Sequence, residues 1–203
     1  TNPYEWNVSG HDGTVKIYYT LFANRGDGIY SQIDETHAHL NIPATFLYAP
    51  SLKDRKIEVE FKTRDDLKWK VATQLSHVNN NTYSAPNLYY FMDSPTELSN
   101  HKVREFTVDG QIIKLALHDP STEEEADQYF EKVKKVVLAE KEVFGELPTF
   151  DYGSYTFLAC YIPNASGDGM EHRNSTILTS TRTLANGGMD GNIGTVSHEF
   201  FHS

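Results

Sequence analysis

The sequence predicts an α+β fold in which an amino-terminal antiparallel β-domain precedes the beginning of a second, mixed unit. The first part of the chain shows the alternation of apolar and polar residues that is typical of strands, together with turn signals, and it shows no helical periodicity. One long amphipathic pattern follows residue 119, and a short helical motif comes last. We therefore expect two domains, residues 1–118 with a β-sandwich-like arrangement and residues 119–203 with α+β character.

Three segments carry the prediction of the β-domain. Residues 15–22 are rich in β-branched and aromatic side chains and predict a strand. Residues 57–62 alternate strictly between apolar and charged side chains, as a half-buried strand does. Residues 103–108 and 111–117 flank Asp109-Gly110, the clearest hairpin signal in the chain.

The amphipathic pattern predicts a helix that begins near residue 121. Ser121 with Glu124, or Thr122 with Glu125, offers a capping box at its start. Apolar side chains then recur near the 3.6-residue period, with lysine and glutamate opposite them. Gly145 ends the pattern.

After the helix, residues 155–162 predict a buried strand and residues 170–181 a polar strand. Residues 186–188 (Asn-Gly-Gly) open a glycine-rich loop. Asp190-Gly191-Asn192 is a turn-and-cap signal directly before a short helix that starts at Ile193.

Composition and net charge limit the classes of partner that this protein can bind. A formal net charge of −10 argues against nucleic acid, because phosphate binding needs clustered lysine and arginine. No apolar run approaches the roughly 18 residues of a membrane helix.

The start at Thr1-Asn2-Pro3 predicts a trimmed or mature chain. The compartment stays open: it is cytoplasmic or, if a signal peptide was removed, periplasmic or secreted.

The sequence His198-Glu199-Phe200-Phe201-His202 predicts half of a zinc site. Histidines four residues apart lie on one face of a helix, so His198 and His202 can share one ion. Glu199 lies about 100° around the helix and can reach a water on that ion. Catalytic zinc commonly has three protein ligands and one open position, and this motif supplies two ligands.

A second candidate element precedes the motif. Gly169-Met170-Glu171-His172 begins an extended polar segment of the kind that an edge strand needs to receive a peptide. Glu171 can hold the ammonium group of a peptide amino terminus by a charge-assisted hydrogen bond. His172 can contact substrate or orient Glu171. On physical grounds alone, an ordinary surface turn with an ordinary glutamate is favoured over substrate binding.

Other histidines and the single cysteine have simpler interpretations. His37 and His39 point the same way if they lie in a strand, and a hydrogen-bonded or exposed strand face is favoured over a metal pair. His118 is interpreted as part of an interdomain turn. Cys160 lies in an apolar stretch, which is typical of a buried small hydrophobe rather than a nucleophile.

Residues 169–176 together with residues 198–202 resemble the glycyl aminopeptidase family. These are thermolysin-like zinc peptidases (gluzincins), and their members often carry a PDZ domain after the catalytic domain. The amino-terminal half is similar as well, at residues 39–41, 69–73 and 92–95. The resemblance implies that the second domain is the first part of a thermolysin-like catalytic domain, truncated here.

The resemblance also implies roles for individual residues. His198 and His202 become zinc ligands, Glu199 becomes the general base, and Glu171 recognises the α-amine, with Gly169, Met170 and His172 beside it. The implied activity is release of small amino-terminal residues such as glycine from peptides. Alternatives are an endopeptidase of the same clan and a non-catalytic β-domain binding module with a remnant motif.

The family's third zinc ligand is a glutamate downstream of the second histidine. We therefore expect the fragment to be inactive and its zinc to be absent or weakly held. An incomplete core also exposes apolar surface, which favours self-association.

Overall fold

The computed structural model describes residues 4–203 and arranges them in three β-sheets and five α-helices. Within these residues, no helix combines the length and the apolar character needed to cross a membrane. The strands are β1 (Gln32–Ile33), β2 (His37–Leu40), β3 (Ile57–Glu60), β4 (Lys70–Thr73), β5 (Ser76–Asn79), β6 (Thr82–Ala85), β7 (Thr96–Ser99), β8 (Lys102–Val108), β9 (Gln111–His118), β10 (Ser154–Tyr161), β11 (Asp168–His172) and β12 (Ser175–Ser180). The helices are α1 (Ile42–Thr45), α2 (Leu88–Met92), α3 (Glu123–Phe144), α4 (Gly188–Gly191) and α5 (Ile193–Phe201).

Two antiparallel sheets build the amino-terminal part. One has four strands in the order β1-β2-β7-β4, and the other has three in the order β3-β6-β5. Their apolar faces enclose small cores around Leu40, Phe61 and Leu98 and around Ile42 and Phe91. The predicted α+β class, with an antiparallel amino-terminal β region, is therefore confirmed.

The third sheet has five strands in the order β11-β12-β10-β9-β8. Its central strand β10 runs parallel to both β9 and β12. The predicted hairpin is confirmed as β8 and β9, with positive φ at Asp109 and Gly110 as a type I′ turn requires. Because β9 pairs with β10, the predicted domain division between residues 118 and 119 falls inside one hydrogen-bonded sheet.

Helix α3 covers one face of the five-stranded sheet. Of the two possible capping boxes, Thr122 with Glu125 is the one that forms, with both reciprocal hydrogen bonds present. Gly145 ends the helix at φ +83°, in the left-handed region. The apolar stripe of the helix is buried against the sheet, and the Tyr129 hydroxyl lies 2.7 Å from that of Tyr161 on β10.

Two predicted strands differ from the structure. The strand predicted at residues 15–22 is wrong, since this segment forms no strand and leaves Tyr18 and Phe22 in solvent. A β-rich composition forms a strand only where a partner edge is available. Residues 170–181 are not one strand but belong largely to the antiparallel pair β11 and β12.

The turn between β11 and β12 is held by the amino-terminal part. The side-chain oxygen Oε1 of the buried Gln74 accepts hydrogen bonds from the Asn174 backbone N–H (3.0 Å) and the Ser175 hydroxyl (2.7 Å). The Gln74 amide donates in turn to the Asp93 carbonyl (2.6 Å) and the Ser94 hydroxyl (3.2 Å). One side chain thus satisfies buried polar groups from both parts of the chain.

We expect Gln74→Ala to destabilise the chain by about 2–4 kcal/mol, because it leaves several buried donors and acceptors without partners. The measurement is the free energy of unfolding in urea. Gln128→Ala is the matched control: Gln128 is exposed on α3, and its substitution should change stability by no more than about 0.5 kcal/mol. Equal effects of the two substitutions would contradict the assigned role of Gln74.

Candidate functional site

Helix α5 begins at Ile193 as the sequence predicts, although the predicted cap does not form, since the Asn192 side chain makes no capping hydrogen bond. The orientation of the helix is set by its apolar face. Val196 and Phe200 lie four residues apart and are buried in the core under the five-stranded sheet. The Phe200 ring packs against Tyr155 and Phe157 at centroid distances of 5.1 and 5.6 Å. Because these side chains point into the core, the helix turns its histidines outward.

His198 and His202 lie next to each other on that exposed face. Their Nε2 atoms are 3.4 Å apart. Two nitrogens bound to one zinc at about 2.0–2.1 Å, on adjacent corners of a tetrahedron, stand about 3.4 Å apart. The pair thus has the spacing that a shared ion requires.

Glu199 lies between the helix and the sheet. Its side chain is buried, and its Oε2 atom has no hydrogen-bond partner. Burial raises the pKa of the Glu199 carboxyl; the neighbouring histidines oppose that rise and the negative charge of Glu171 adds to it. A buried carboxylate with a raised pKa is suited to accepting a proton.

Strand β11 is the edge strand of the five-stranded sheet and runs beside α5. A Cβ atom at Gly169 would stand 2.1 Å from Oε1 of Glu199, so only glycine allows the carboxylate this position. Glu171 lies two residues further on the same face of the strand, and its side chain is exposed. The edge-strand backbone, Glu171 and the helix motif therefore lie close together.

His172 occupies the opposite face of β11, together with Met170. Its Nδ1 lies 2.8 Å from Oδ1 of Asp93, which follows α2 in the amino-terminal part. The other carboxylate oxygen of Asp93 accepts a hydrogen bond from the backbone N–H of Arg173. Substrate contact by His172 and Met170 therefore stays a prediction, and the geometry favours a positioning role for His172.

Arg173 forms an ion pair with Asp151. Asp93 and Gln74 are residues that the sequence analysis missed. They are about 80 and 100 residues from their partners in the chain, and no local pattern connects them.

The remaining histidines lie elsewhere. His37 and His39 do point the same way from β2, but both are buried, around Glu97 of β7. His118 is the last residue of β9 and stacks on His37, which differs from the turn predicted for it. Cys160 is buried, as predicted. Burial raises the pKa of its thiol, which argues against a nucleophile.

Two comparisons with known proteins find similar proteins. Residues 1–100 match the peptidase M61 N-terminal domain. The fold is similar to the crystal structure of an aminopeptidase N family protein from Idiomarina loihiensis, with a TM-score of 0.66 and 26% sequence identity over 85% of this chain. Comparison with curated proteins gives no match.

The chain spans 31% of the length of that solved protein. The family match covers the amino-terminal part, and the structural match extends over most of the chain. This chain is therefore similar to the amino-terminal domain of M61 peptidases and, over most of its length, to a protein of the aminopeptidase N family.

We expect Gly169→Ala to lower the free energy of unfolding by about 1–2 kcal/mol, because the new methyl group displaces the Glu199 side chain from its buried position. In a Glu199→Ala background the same substitution should leave the free energy of unfolding almost unchanged. A double-mutant cycle measures this coupling. Gly167→Ala is the control, since a Cβ there meets nothing within 4 Å. A coupling energy near zero in this cycle would contradict the close contact between Gly169 and Glu199.

Proposed function

We propose that this chain carries the metal-binding and amine-recognition part of a zinc-dependent aminopeptidase. The observation that supports this most directly is the 3.4 Å spacing of the His198 and His202 nitrogens beside the buried Glu199 carboxylate. The similarity to metallopeptidases of the M61 type supports the same reaction class. Two imidazoles fit a zinc ion in both donor chemistry and separation.

The proposed mechanism assigns one task to each group. His198 and His202 would hold zinc, which would lower the pKa of a bound water molecule and polarise the scissile carbonyl. Glu199 accepts the proton of the attacking water and later donates it to the leaving amine. Its burial supports this role, because a desolvated carboxylate binds a proton more readily.

The edge of β11 is the proposed binding surface for the peptide. An extended peptide can add to a free strand edge through main-chain hydrogen bonds. Glu171 is exposed on the face shared with Gly169 and can pair with the free α-amine of the substrate. The preference for small residues such as glycine follows from the family resemblance.

Asp93 is proposed as a positioning residue for this strand. By binding His172 and the backbone of Arg173, it fixes the end of β11 next to Glu171. The amino-terminal part would then contribute directly to the alignment of the recognition strand.

The metal assignment has a direct test in substitutions of the motif. In the protein that carries this chain, Glu199→Gln should lower kcat by a factor of about 10²–10⁴ and leave zinc content unchanged, because glutamine keeps the shape but cannot accept the proton. His198→Ala should abolish both activity and zinc at this site. Activity is measured on glycyl peptides and metal by atomic emission.

Glu140→Gln is a matched control for these measurements, since Glu140 lies on α3 and bonds to Ser197 of α5 outside the proposed site. It should retain both activity and zinc. Loss of zinc in Glu199→Gln would contradict the proposed roles.

Recognition of the amine is tested with paired substrates. The wild-type protein should cleave peptides with a free amino terminus and not their acetylated forms, because Glu171 requires a positive partner. Glu171→Gln should raise KM for free peptides and reduce this discrimination by about tenfold or more. Cleavage of blocked and free peptides at equal rates by the wild type would favour the endopeptidase alternative.

A further inference from the structure

A cluster of potential metal ligands lies where the amino-terminal sheet meets the five-stranded sheet. Donor atoms of His37, His118 and Cys160 all lie within 4.8 Å of one another. Of the residues that the structure describes, these are the only three histidine, cysteine or acidic side chains grouped so closely. We propose that they form a structural zinc site, separate from the peptidase motif and independent of the function proposed for it.

The three ligands come from strands that are already fixed in space. His118 and Cys160 are direct partners in the parallel pairing of β9 and β10, so their side chains leave the sheet on the same face. His37 begins β2, which belongs to the four-stranded sheet. An ion held by all three would therefore cross-link two sheets.

The spacing suits zinc. The sulfur of Cys160 lies 3.7 Å from Nδ1 of His37. Sulfur at about 2.3 Å and nitrogen at about 2.0–2.1 Å from one tetrahedral zinc stand about 3.6 Å apart. Oε1 of Glu97 is 3.3 Å from the same nitrogen, which places a carboxylate within reach of a fourth position.

The surrounding charges also suit a divalent ion. Glu97 is buried and carries an Oε2 atom without a hydrogen-bond partner; His39 is 3.4 Å away but not aligned for one. Zinc, one thiolate and one carboxylate sum to zero charge, which lowers the cost of burying them. Nε2 of His37 also has no hydrogen-bond partner, and Asp34 lies 3.7 Å from it, so a slightly closer approach would give the outer carboxylate that commonly orients a ligating imidazole.

Two adjustments accompany binding. The rings of His37 and His118 are stacked with an interplanar angle of 8°, and parallel rings cannot both direct a nitrogen at one ion. His118, which is only partly buried, must therefore rotate. The thiol of Cys160 must release its proton to the solvent, and Nδ1 of His37 must give up the hydrogen by which it bonds to Glu97, because zinc binds the thiolate and an unprotonated imidazole nitrogen.

Cobalt is the probe that identifies this site, since a cobalt–thiolate bond gives a charge-transfer absorption band. The chain has one cysteine, and the His198–His202 pair offers only nitrogen donors. Metal-free chain titrated with Co²⁺ should develop the band up to one equivalent, and Zn²⁺ should remove it. The band should persist in the double substitution of His198 and His202 by alanine.

Substitutions separate a built site from a thiol that binds metal by itself. Cys160→Ala should abolish the band. Glu97→Gln should weaken cobalt binding by roughly 10–100-fold or more, because it removes the carboxylate that lies within reach of the fourth position. His118→Ala, at a partly exposed position, should weaken it at least as much. Circular dichroism verifies that each variant is folded.

Thermal unfolding gives a second measurement. Zinc should raise the unfolding temperature of the wild type and of the His198/His202 double variant, but not that of Cys160→Ala, because an ion that binds only the folded chain stabilises it. Absence of the band in the folded wild type would overturn the proposal. Equal cobalt affinities of His118→Ala and the wild type, measured from the band, would overturn it as well.

Discussion

The arrangement of the candidate site depends on the burial of Val196 and Phe200 beneath the five-stranded sheet. These two apolar side chains fix the rotation of α5 about its axis, since they must face the aromatic core. Once that rotation is set, Glu199 faces Gly169 and the two histidines face solvent. The chemistry of the motif therefore follows from a packing constraint on neighbouring residues.

A second constraint connects the two parts of the chain. Gln74 and Asp93 satisfy polar groups at the turn between β11 and β12, where a buried donor without a partner would be costly. These bonds run from the amino-terminal part to the strand that carries Glu171. The amino-terminal part thus contributes to the geometry of the site as well as to the stability of the fold.

The junction around Glu97 differs from this well-satisfied turn. Burial alone would raise the pKa of Glu97, yet its hydrogen bond with His37 and the charges of His37 and His118 hold that pKa well below its ordinary value. Burial lowers the pKa of His101 beside it to about 4. Several ring and carboxylate atoms in this cluster still have no partner, and such atoms are uncommon in protein interiors.

The sequence by itself determined the features that depend on neighbours in the chain. The capping box at Thr122, the turn at Asp109-Gly110 and the start of α5 at Ile193 each follow from residues within a few positions. The proximity of His198 and His202 could also be predicted from the sequence, because helix geometry alone brings residues four apart together.

Only the tertiary structure decided which elements meet. It placed β9 beside β10, left residues 15–22 without a strand partner, turned His172 toward Asp93, and gathered His37, His118 and Cys160. Strand patterns indicate which face of a strand is buried but not which neighbour covers it. Contacts between residues far apart in the chain are therefore set by packing and register, which local periodicity does not encode.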